Sequence, residues 1–296
     1  MPSFIQRLLA LLETAEHLPT LPEVVLQLHR ALEDEKASGA VIAEIIGRDP
    51  ALAAKVVGAA NSAFLARSAE PITSIAGAIA RLGLREVRSI CAVLAFVRAF
   101  GGRGAGLDYQ RFWIHSATVA GVAQWLGFCA DPADRRRADE LYIAGLLHDV
   151  GLLILDQYFA PEFASASRTQ ADTGEPRWIV EERELGMDHG EVGGLLLGKW
   201  LLPPAVIDAV IGHHRPDSAP APHRLGARFV HAAEVLTGAA GLGLPEEGAV
   251  EAPEPALRGL GLEPARLPEL LAEVEAIGHR MGRFLDRPAG AAAAGR

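Results

Sequence analysis

The second half of the chain carries histidine and carboxylate side chains of the types that bind divalent metal ions. The candidate ligands are His115, His148, Asp149, His189, His213, His214 and Glu234. Imidazole nitrogens and carboxylate oxygens suit Zn, Fe, Mn and Ni ions, and residue type alone does not choose among these four. The set is large enough to hold one ion or two.

Two of these candidates are adjacent pairs at the ends of predicted helices. His148-Asp149 follows the apolar stretch 141–147 and precedes Gly151, and His213-His214 lies shortly before Pro216. Where the backbone leaves a helix, both side chains of such a pair can turn toward one point. The alternative interpretation is structural: His148 would hydrogen-bond a backbone carbonyl, and Asp149 would cap the next turn.

Helices must position these residues, because the apolar spacing is helical along almost the whole chain. Segments 24–32 and 41–46 each place their apolar residues on one helical face. Asp49-Pro50 predicts the start of another helix, and Thr73 or Ser74 can cap the helix that follows. No segment has a convincing strand pattern, so the sequence predicts an all-α fold.

The glycines between Phe100 and Gly106 divide the predicted helices into two halves. Four glycines in these seven residues favour a flexible joint over a helix. We therefore expect an N-terminal helical subdomain over 1–100 and a histidine-bearing helical core over 107–240. Residues 241–296 are expected to form a linker rich in Pro, Glu and Gly, a helix over 268–285 and a disordered tail.

The composition narrows the classes of function and the compartment. The 296 residues carry 28 basic and 37 acidic side chains, a formal net charge of -9, which weakly disfavours long-range attraction to nucleic acids. Two cysteines cannot form a disulfide framework. No apolar window is long enough for a membrane span, and the N-terminus has no export signal. We expect a cytoplasmic protein without a membrane partner.

Several motifs, in this order, resemble the HDOD domain, a bacterial signalling branch of the HD phosphohydrolase superfamily. They are Leu18-Pro-Thr-Leu-Pro22, Ile46-Gly-Arg-Asp-Pro-Ala-Leu52, Phe112-Trp-Ile-His-Ser116, Ala144-Gly-Leu-Leu-His-Asp-Val-Gly151, Asp188-His-Gly-Glu-Val-Gly193 and Ile211-Gly-His-His-Arg-Pro216. The resemblance covers roughly residues 15 to 240. It implies an all-α fold with an N-terminal helical subdomain packed on an HD-like helical core.

The resemblance also implies that the candidate ligands occupy the metal-binding positions of the superfamily. Asp149 would be the essential residue if the chain is catalytic, whereas Glu234 stands where the superfamily normally has a final Asp. Gly151 is followed by Leu152, although the active enzymes have a lysine there that would stabilise phosphoryl charge. Arg215 could bind phosphate instead, or could simply be a solvated surface residue.

Three functions follow as hypotheses. The first is a regulatory protein with a retained metal site, acting with an unknown signalling partner or a nucleotide ligand. The second is a metal-dependent phosphohydrolase that cleaves a nucleotide or a cyclic dinucleotide, as the related HD-GYP enzymes do. The third, nucleic-acid binding through Arg81, Arg85 and Arg88, is disfavoured because such arginines usually solubilise a helix. The aromatic residues, among them Trp178, are interpreted as packing residues.

Overall fold

A computed structural model gives the fold and describes residues 2–14, 18–33, 39–62, 72–101, 104, 106–245 and 251–285. These residues form helices and connecting loops without a strand, which confirms the predicted all-α class. The α-helices are α1 Phe4–Thr14, α2 Glu23–Glu33, α3 Gly39–Gly47, α4 Pro50–Ser62, α5 Ile75–Leu82, α6 Leu84–Phe100, α7 Tyr109–Ala130, α8 Arg135–Leu147, α9 Val150–Tyr158, α10 Ala160–Thr173, α11 Arg177–Leu185, α12 His189–Lys199, α13 Pro204–Ile211, α14 Arg224–Ala239, α15 Pro253–Gly259 and α16 Leu267–Leu285. Short 3-10 helices span Pro216–Ser218 and Pro264–Arg266.

Local sequence signals set several of these helix boundaries. Pro50 occupies the first position of α4, and the Ser74 side chain accepts a hydrogen bond from the Gly77 amide at the start of α5. A proline costs little at that position because its missing amide hydrogen would have no helical partner. The helix expected over 268–285 is α16, whereas the expected disorder of 288–296 lies outside the described residues.

Contacts group the chain into two compact units. One unit combines Met1–Leu18 with Gly102–Gly278, and the other combines Pro19–Gly101 with His279–Arg296. One boundary between the two units lies at Gly101 and Gly102, in the glycine segment. The first residues of the chain thus belong to the same unit as Gly102–Gly278, and the last residues belong to the same unit as Pro19–Gly101.

Helix α1 belongs to the histidine-bearing unit because its side chains contact α10 and the residue before it. The ring of Phe4 meets the ring of Phe159 edge to face at 5.0 Å, and Arg7 pairs with Glu162. Phe4, Leu8 and Leu12 are buried along one face. Burial of this apolar face removes hydrocarbon from water, which is sufficient reason for the helix to associate with this core.

Two glycines of the predicted joint are held by the histidine-bearing unit. The Gly106 amide donates to Oδ1 of the buried Asp156 at 2.8 Å, and the Gly104 amide donates to the Tyr109 hydroxyl at 3.0 Å. A Cβ atom on Gly104 would lie 1.6 Å from Asp156, so glycine is required there by a close approach. Residues 102, 103 and 105 lie outside the described part of the chain.

Each unit has its own apolar core. In the unit formed mainly by Pro19–Gly101, Leu28, Ile46, Val56 and Ile90 are almost fully buried together. In the histidine-bearing unit, α7 and α8 approach so closely that a Cβ atom on Gly145 would lie 2.8 Å from the Cα of Ala120. Among the helices described, none combines the length and the apolar character that crossing a membrane requires.

Candidate metal centre

Four helix ends and one helix interior bring six of the seven candidate ligands together. His115 lies on α7, the pair His148-Asp149 forms the junction between α8 and α9, His189 is the first residue of α12, and His213-His214 follows α13. All are fully buried except His214, whose side chain is 8% exposed. The end-of-helix placement of both adjacent pairs agrees with the prediction from their spacing.

A capping box fixes the position of His189. The Asp188 carboxylate accepts a hydrogen bond from the Glu191 amide at 2.9 Å, and the Glu191 carboxylate accepts one from the Asp188 amide at 3.0 Å. This reciprocal arrangement satisfies two backbone donors that no helical carbonyl reaches. It therefore starts α12 at the residue that carries the imidazole.

Asp149 lies at the centre of the cluster. Its Oδ2 is 3.1 Å from Nε2 of His148 and 3.7 Å from Nε2 of His115. Its Oδ1 is 3.2 Å from Nε2 of His189 and 3.6 Å from Nε2 of His213. One carboxylate therefore faces two histidines with each of its oxygens.

The donor atoms form two groups that share Asp149. In the three-donor group, the ligand atoms of His115, His148 and Asp149 lie within 4.8 Å of one another. In the four-donor group, those of Asp149, His189, His213 and His214 do the same. The Nε2 atoms of His189 and His214 are 2.8 Å apart, close to the spacing of about 3 Å between neighbouring ligands that each bind an ion at about 2.1 Å.

Backbone carbonyls orient three of the imidazoles from behind. The Nδ1 atoms of His115, His148 and His213 lie 3.0, 2.8 and 2.5 Å from the oxygens of Leu242, Gly145 and Val210. A carbonyl oxygen only accepts hydrogen bonds, so each Nδ1 carries the proton and each Nε2 keeps its lone pair. This is the outer-shell arrangement that orients histidines bound to metals.

The structural alternative for the pair His148-Asp149 holds for one residue only. His148 does contact a backbone carbonyl, through Nδ1, but its Nε2 still faces Asp149. Asp149 stands at the N-cap of α9 and makes no side-chain cap hydrogen bond. Capping therefore does not account for the burial of this carboxylate.

At Asp149, His148 and His214 the environment favours protonation states that suit metal ligands. Burial raises the pKa of the Asp149 carboxyl, but the facing imidazoles, His148 foremost, outweigh burial and hold that pKa well below its usual range. Burial lowers the pKa of His148, and burial together with His213 and His189 holds the pKa of His214 well below its usual value. A charged carboxylate and neutral imidazoles are the forms that bind metals.

A buried ion pair that sequence reasoning missed lies behind His189. Glu181 on α11 accepts from the His189 amide at 2.9 Å and contacts Nδ1 of the same residue at 2.6 Å, and Nε of Arg177 donates to it at 2.6 Å. Burial lowers the pKa of His189, but Glu181 and then Asp149 outweigh burial and hold it well above its usual value. In the sequence, the only indication of this ion pair is the spacing of four residues between Arg177 and Glu181, which places the two side chains next to each other on a helix.

Arg215, the candidate phosphate-binding residue, lies outside both donor groups. Its guanidinium is 3.0 Å from Glu182 and 3.3 Å from Asp188, and its Cζ is 5.0 Å from the centre of the Trp178 ring. Trp178 in turn stacks on His214 with the ring planes 16° apart. Trp178 is therefore in contact with a candidate ligand and with Arg215, rather than being only a packing residue.

Glu234 approaches the cluster from the far side of His214. Its Oε1 lies 3.8 Å from Nδ1 of His214, whereas the Nε2 atom of that histidine faces His189. Neither donor group found among the described residues includes Glu234. In this structure Glu234 is thus placed behind a candidate ligand.

Buried atoms of the donor set that lack a hydrogen bond show that the set fits a metal ion. The Nε2 atoms of His148 and His213 and both carboxylate oxygens of Asp149 are buried, yet form no hydrogen bond of acceptable geometry within the described part of the chain. Leaving a buried polar atom unsatisfied costs about 1–3 kcal/mol, and more for a charged group. Ions bound in the two donor groups would satisfy all of these atoms.

Comparison with known families shows the family to which this chain belongs. The model of the HDOD domain matches residues 18–216, which is more than half of the chain. The chain therefore belongs to the HDOD domain family, as its motifs predicted. The matched range contains every member of the two donor groups.

Two solved structures are similar over nearly the full length. An HDOD domain protein of unknown function from Geobacter sulfurreducens is 27% identical with a TM-score of 0.77, covering 95% of this chain and 96% of that one. A protein from Shewanella amazonensis, provisionally named a phosphohydrolase, is 26% identical with a TM-score of 0.71, covering 94% of this chain and 97% of that one. Both comparisons support the fold derived above.

A curated relative is longer than this chain. It is an uncharacterized protein of Treponema pallidum, 24% identical over 205 residues, which are 69% of this chain and 39% of the relative. The chain thus spans well under half the length of that protein.

Proposed function

We propose that this chain is a regulatory HDOD protein whose histidine and aspartate cluster binds one or two divalent transition-metal ions without hydrolysing a phosphate ester. The observation that carries the proposal is the fully buried Asp149 carboxylate, which is shared by two donor groups and forms no hydrogen bond within the described residues. Such a carboxylate has a physical reason to be buried if it binds a cation.

The residues suggest which ions the site would hold. The three-donor group offers two imidazoles and a carboxylate, and the four-donor group offers three imidazoles and the same carboxylate. These ligands suit Fe, Mn, Zn or Ni, whereas Mg and Ca prefer sites made only of oxygen. Glu234 would support His214 from behind rather than bind the ion itself.

Burial and charge both argue against turnover. His115, His148, Asp149, His189 and His213 have no exposed surface, so a nucleotide has no route to them in this conformation. Leu152, which stands where the related enzymes have a lysine, is itself fully buried and brings no charge. Catalysis of phosphoryl transfer depends largely on positioned positive charge, and this site lacks the lysine.

A second candidate function, metal-dependent phosphohydrolase, is favoured by one observation. Two donor groups that share a carboxylate resemble the arrangement of two-metal hydrolases, in which the ions activate water and stabilise the attacking and leaving oxygens. In that case Asp149 would be essential, and Arg215 would have to leave Glu182 and Asp188 to bind a phosphate. The substrate would be a nucleotide or a cyclic dinucleotide.

A regulatory function also requires an input. We propose that this input is a protein partner or a nucleotide ligand. A response could reach the cluster through α8 and α13, whose C-terminal ends are followed by His148-Asp149 and His213-His214.

Elemental analysis combined with activity assays tests the proposal. Protein purified without chelator should contain one or two transition-metal ions, Asp149→Ala should contain none, and His279→Ala, which changes an exposed histidine of α16, should match the wild type. All three proteins should be inactive on nucleotides and cyclic dinucleotides with added Mn, Fe or Mg. Turnover that Asp149→Ala abolishes would favour the phosphohydrolase, and metal-free wild-type protein that stays empty in added metal would contradict both candidates.

A further inference from the structure

We propose that the two donor groups are unequal, and that the four-donor group binds its ion first and more tightly because a buried carboxylate stands behind one of its ligands. This inference rests on the proposed metal site and adds an order of loading to it. The carboxylate is that of Glu181, and Arg177 positions it. Both are positioning residues, since neither offers an atom to the donor groups found in the described residues.

Glu181 fixes both the backbone and the ring of His189. One carboxylate oxygen, Oε2, accepts the amide hydrogen of His189 at 2.9 Å and lies 2.6 Å from its Nδ1. The ring must donate from Nδ1 to a charged carboxylate, so Nε2 is left to face Asp149 and His214. Donation to a carboxylate also makes the opposite nitrogen a stronger electron donor to a metal.

Arg177 holds the Glu181 carboxylate in place. Its Nε donates to the other oxygen of Glu181 at 2.6 Å, its Nη1 donates to Ser167 at 3.1 Å, and its Cζ lies 4.1 Å from the centre of the Phe163 ring. The arginine and the glutamate are both fully buried, so solvent does not screen the pair.

The three-donor group lacks this support. Neutral carbonyl oxygens, those of Leu242 and Gly145, stand behind its two imidazoles. A neutral acceptor polarises an imidazole less than a carboxylate does, and this group also offers one imidazole fewer. Since Asp149 serves both groups, the difference in affinity must come from the histidines and from the residues behind them.

The expected size of the effect can be measured. Removing a residue that orients a metal ligand from behind typically costs about 10–100-fold in metal affinity. We therefore expect a metal-stripped wild-type protein to bind Co²⁺ in two steps of different affinity. Glu181→Gln should weaken the first step by about 10–100-fold and leave the second unchanged.

The experiment is a calorimetric titration with Co²⁺, followed in parallel by the visible absorption of the bound ion. Glu184→Gln is the matched control, because Glu184 lies on the same helix with an exposed side chain, and it should titrate like the wild type. His115→Ala should lose only the second, weaker step. If the wild type takes up a single ion, the inference is supported when Glu181→Gln weakens the binding of that ion and His115→Ala does not.

A second variant guards against misfolding. Glu181→Gln leaves Arg177 buried without its charged partner, which can destabilise the fold. The double variant Arg177→Met with Glu181→Gln removes both charges, should fold by circular dichroism, and should show the same weakened first step. Binding in two equal steps, or tight binding that neither variant alters, overturns this inference alone. Absence of Co²⁺ binding by the wild type overturns the proposed metal site and this inference with it.

Discussion

A Cβ atom added to Gly151 would lie 1.9 Å from the backbone oxygen of His189 and 2.8 Å from its carbonyl carbon. The first turn of α9 therefore rests directly against the first residue of α12. Asp149 lies two residues before Gly151, and its Oδ1 atom is 3.2 Å from Nε2 of His189. Glycine at position 151 is what allows the shared carboxylate and this imidazole to come together.

Gly151→Ala should consequently separate the two helix ends. The methyl group can be accommodated only by movement of backbone, so we expect a loss of about 3 kcal/mol in the free energy of unfolding, the upper end for an overpacked core. Metal affinity should fall by at least about tenfold, or 1.4 kcal/mol, because a ligand is displaced. Urea denaturation and metal titration measure the two effects.

Gly198→Ala is the matched control for that substitution. Gly198 lies on α12 as well, but a Cβ atom there would meet nothing within 4 Å. Alanine in an open helical position should stabilise the fold by about 0.5–1 kcal/mol and leave metal affinity unchanged. Equal behaviour of the two variants would show that the contact between Gly151 and His189 does not constrain the site.

Metal binding should stabilise the folded chain. An ion that binds only the folded state at a free concentration of one hundred times its dissociation constant adds about 2.7 kcal/mol to the free energy of unfolding. Thermal melts with and without chelator should therefore differ for the wild type and coincide for Asp149→Ala. A chelator effect that persists in Asp149→Ala would place the bound ion elsewhere.

Trp178 should report binding at the four-donor group by fluorescence. Its ring stacks on His214 with the centroids 5.8 Å apart, so Co²⁺ bound by that imidazole lies close enough to quench the indole. Zn²⁺, which has a filled d shell, should not quench in this way. Trp178→Phe should remove most of the Co²⁺ response and Trp200→Phe should retain it. The reverse pattern would mean that His214 is not a ligand.

The sequence was sufficient to single out the two adjacent pairs as candidate ligands. His148-Asp149 and His213-His214 each stand where a helical pattern stops, and adjacent side chains can converge only at such a point. The all-α fold was equally readable, because apolar residues recur with helical spacing on most segments. These features depend on residues that are neighbours along the chain.

Features that depend on distant partners were not predictable. Glu181 stands in the charged run Glu181-Glu182-Arg183-Glu184, and only the packing of α11 decides which of these side chains is buried. Likewise, the amphipathic pattern of α1 shows an apolar face without showing which core receives it. Its contacts with Phe159 and Glu162 lie about 155 residues away in the sequence.

The glycine segment shows the same limit and supports a prediction about stability. Asp156 accepts from the Gly106 amide at 2.8 Å and from the Tyr109 hydroxyl at 2.9 Å. Asp156→Ala should cost about 2–3 kcal/mol in the free energy of unfolding, because both partners lose a buried acceptor. Asp156→Asn keeps one acceptor oxygen and should cost about 1 kcal/mol. Equal stability of Asp156→Ala and the wild type in urea would contradict this anchoring function.

The same contact predicts a pH dependence at the alkaline end. Burial raises the pKa of Tyr109 to about 12, and Asp156 adds to the increase. In the unfolded chain a tyrosine has a pKa of about 10. Between about pH 10 and pH 12 the folded state therefore holds a proton that the unfolded state has released, so the free energy of unfolding must fall as pH rises through this window.

Urea denaturation should show this decline in the wild type and a smaller one in Tyr109→Phe. Tyr158→Phe, which leaves the contact with Asp156 intact, should keep the wild-type slope. Identical slopes in all three proteins would mean that Tyr109 ionises in the folded chain as readily as in the unfolded one.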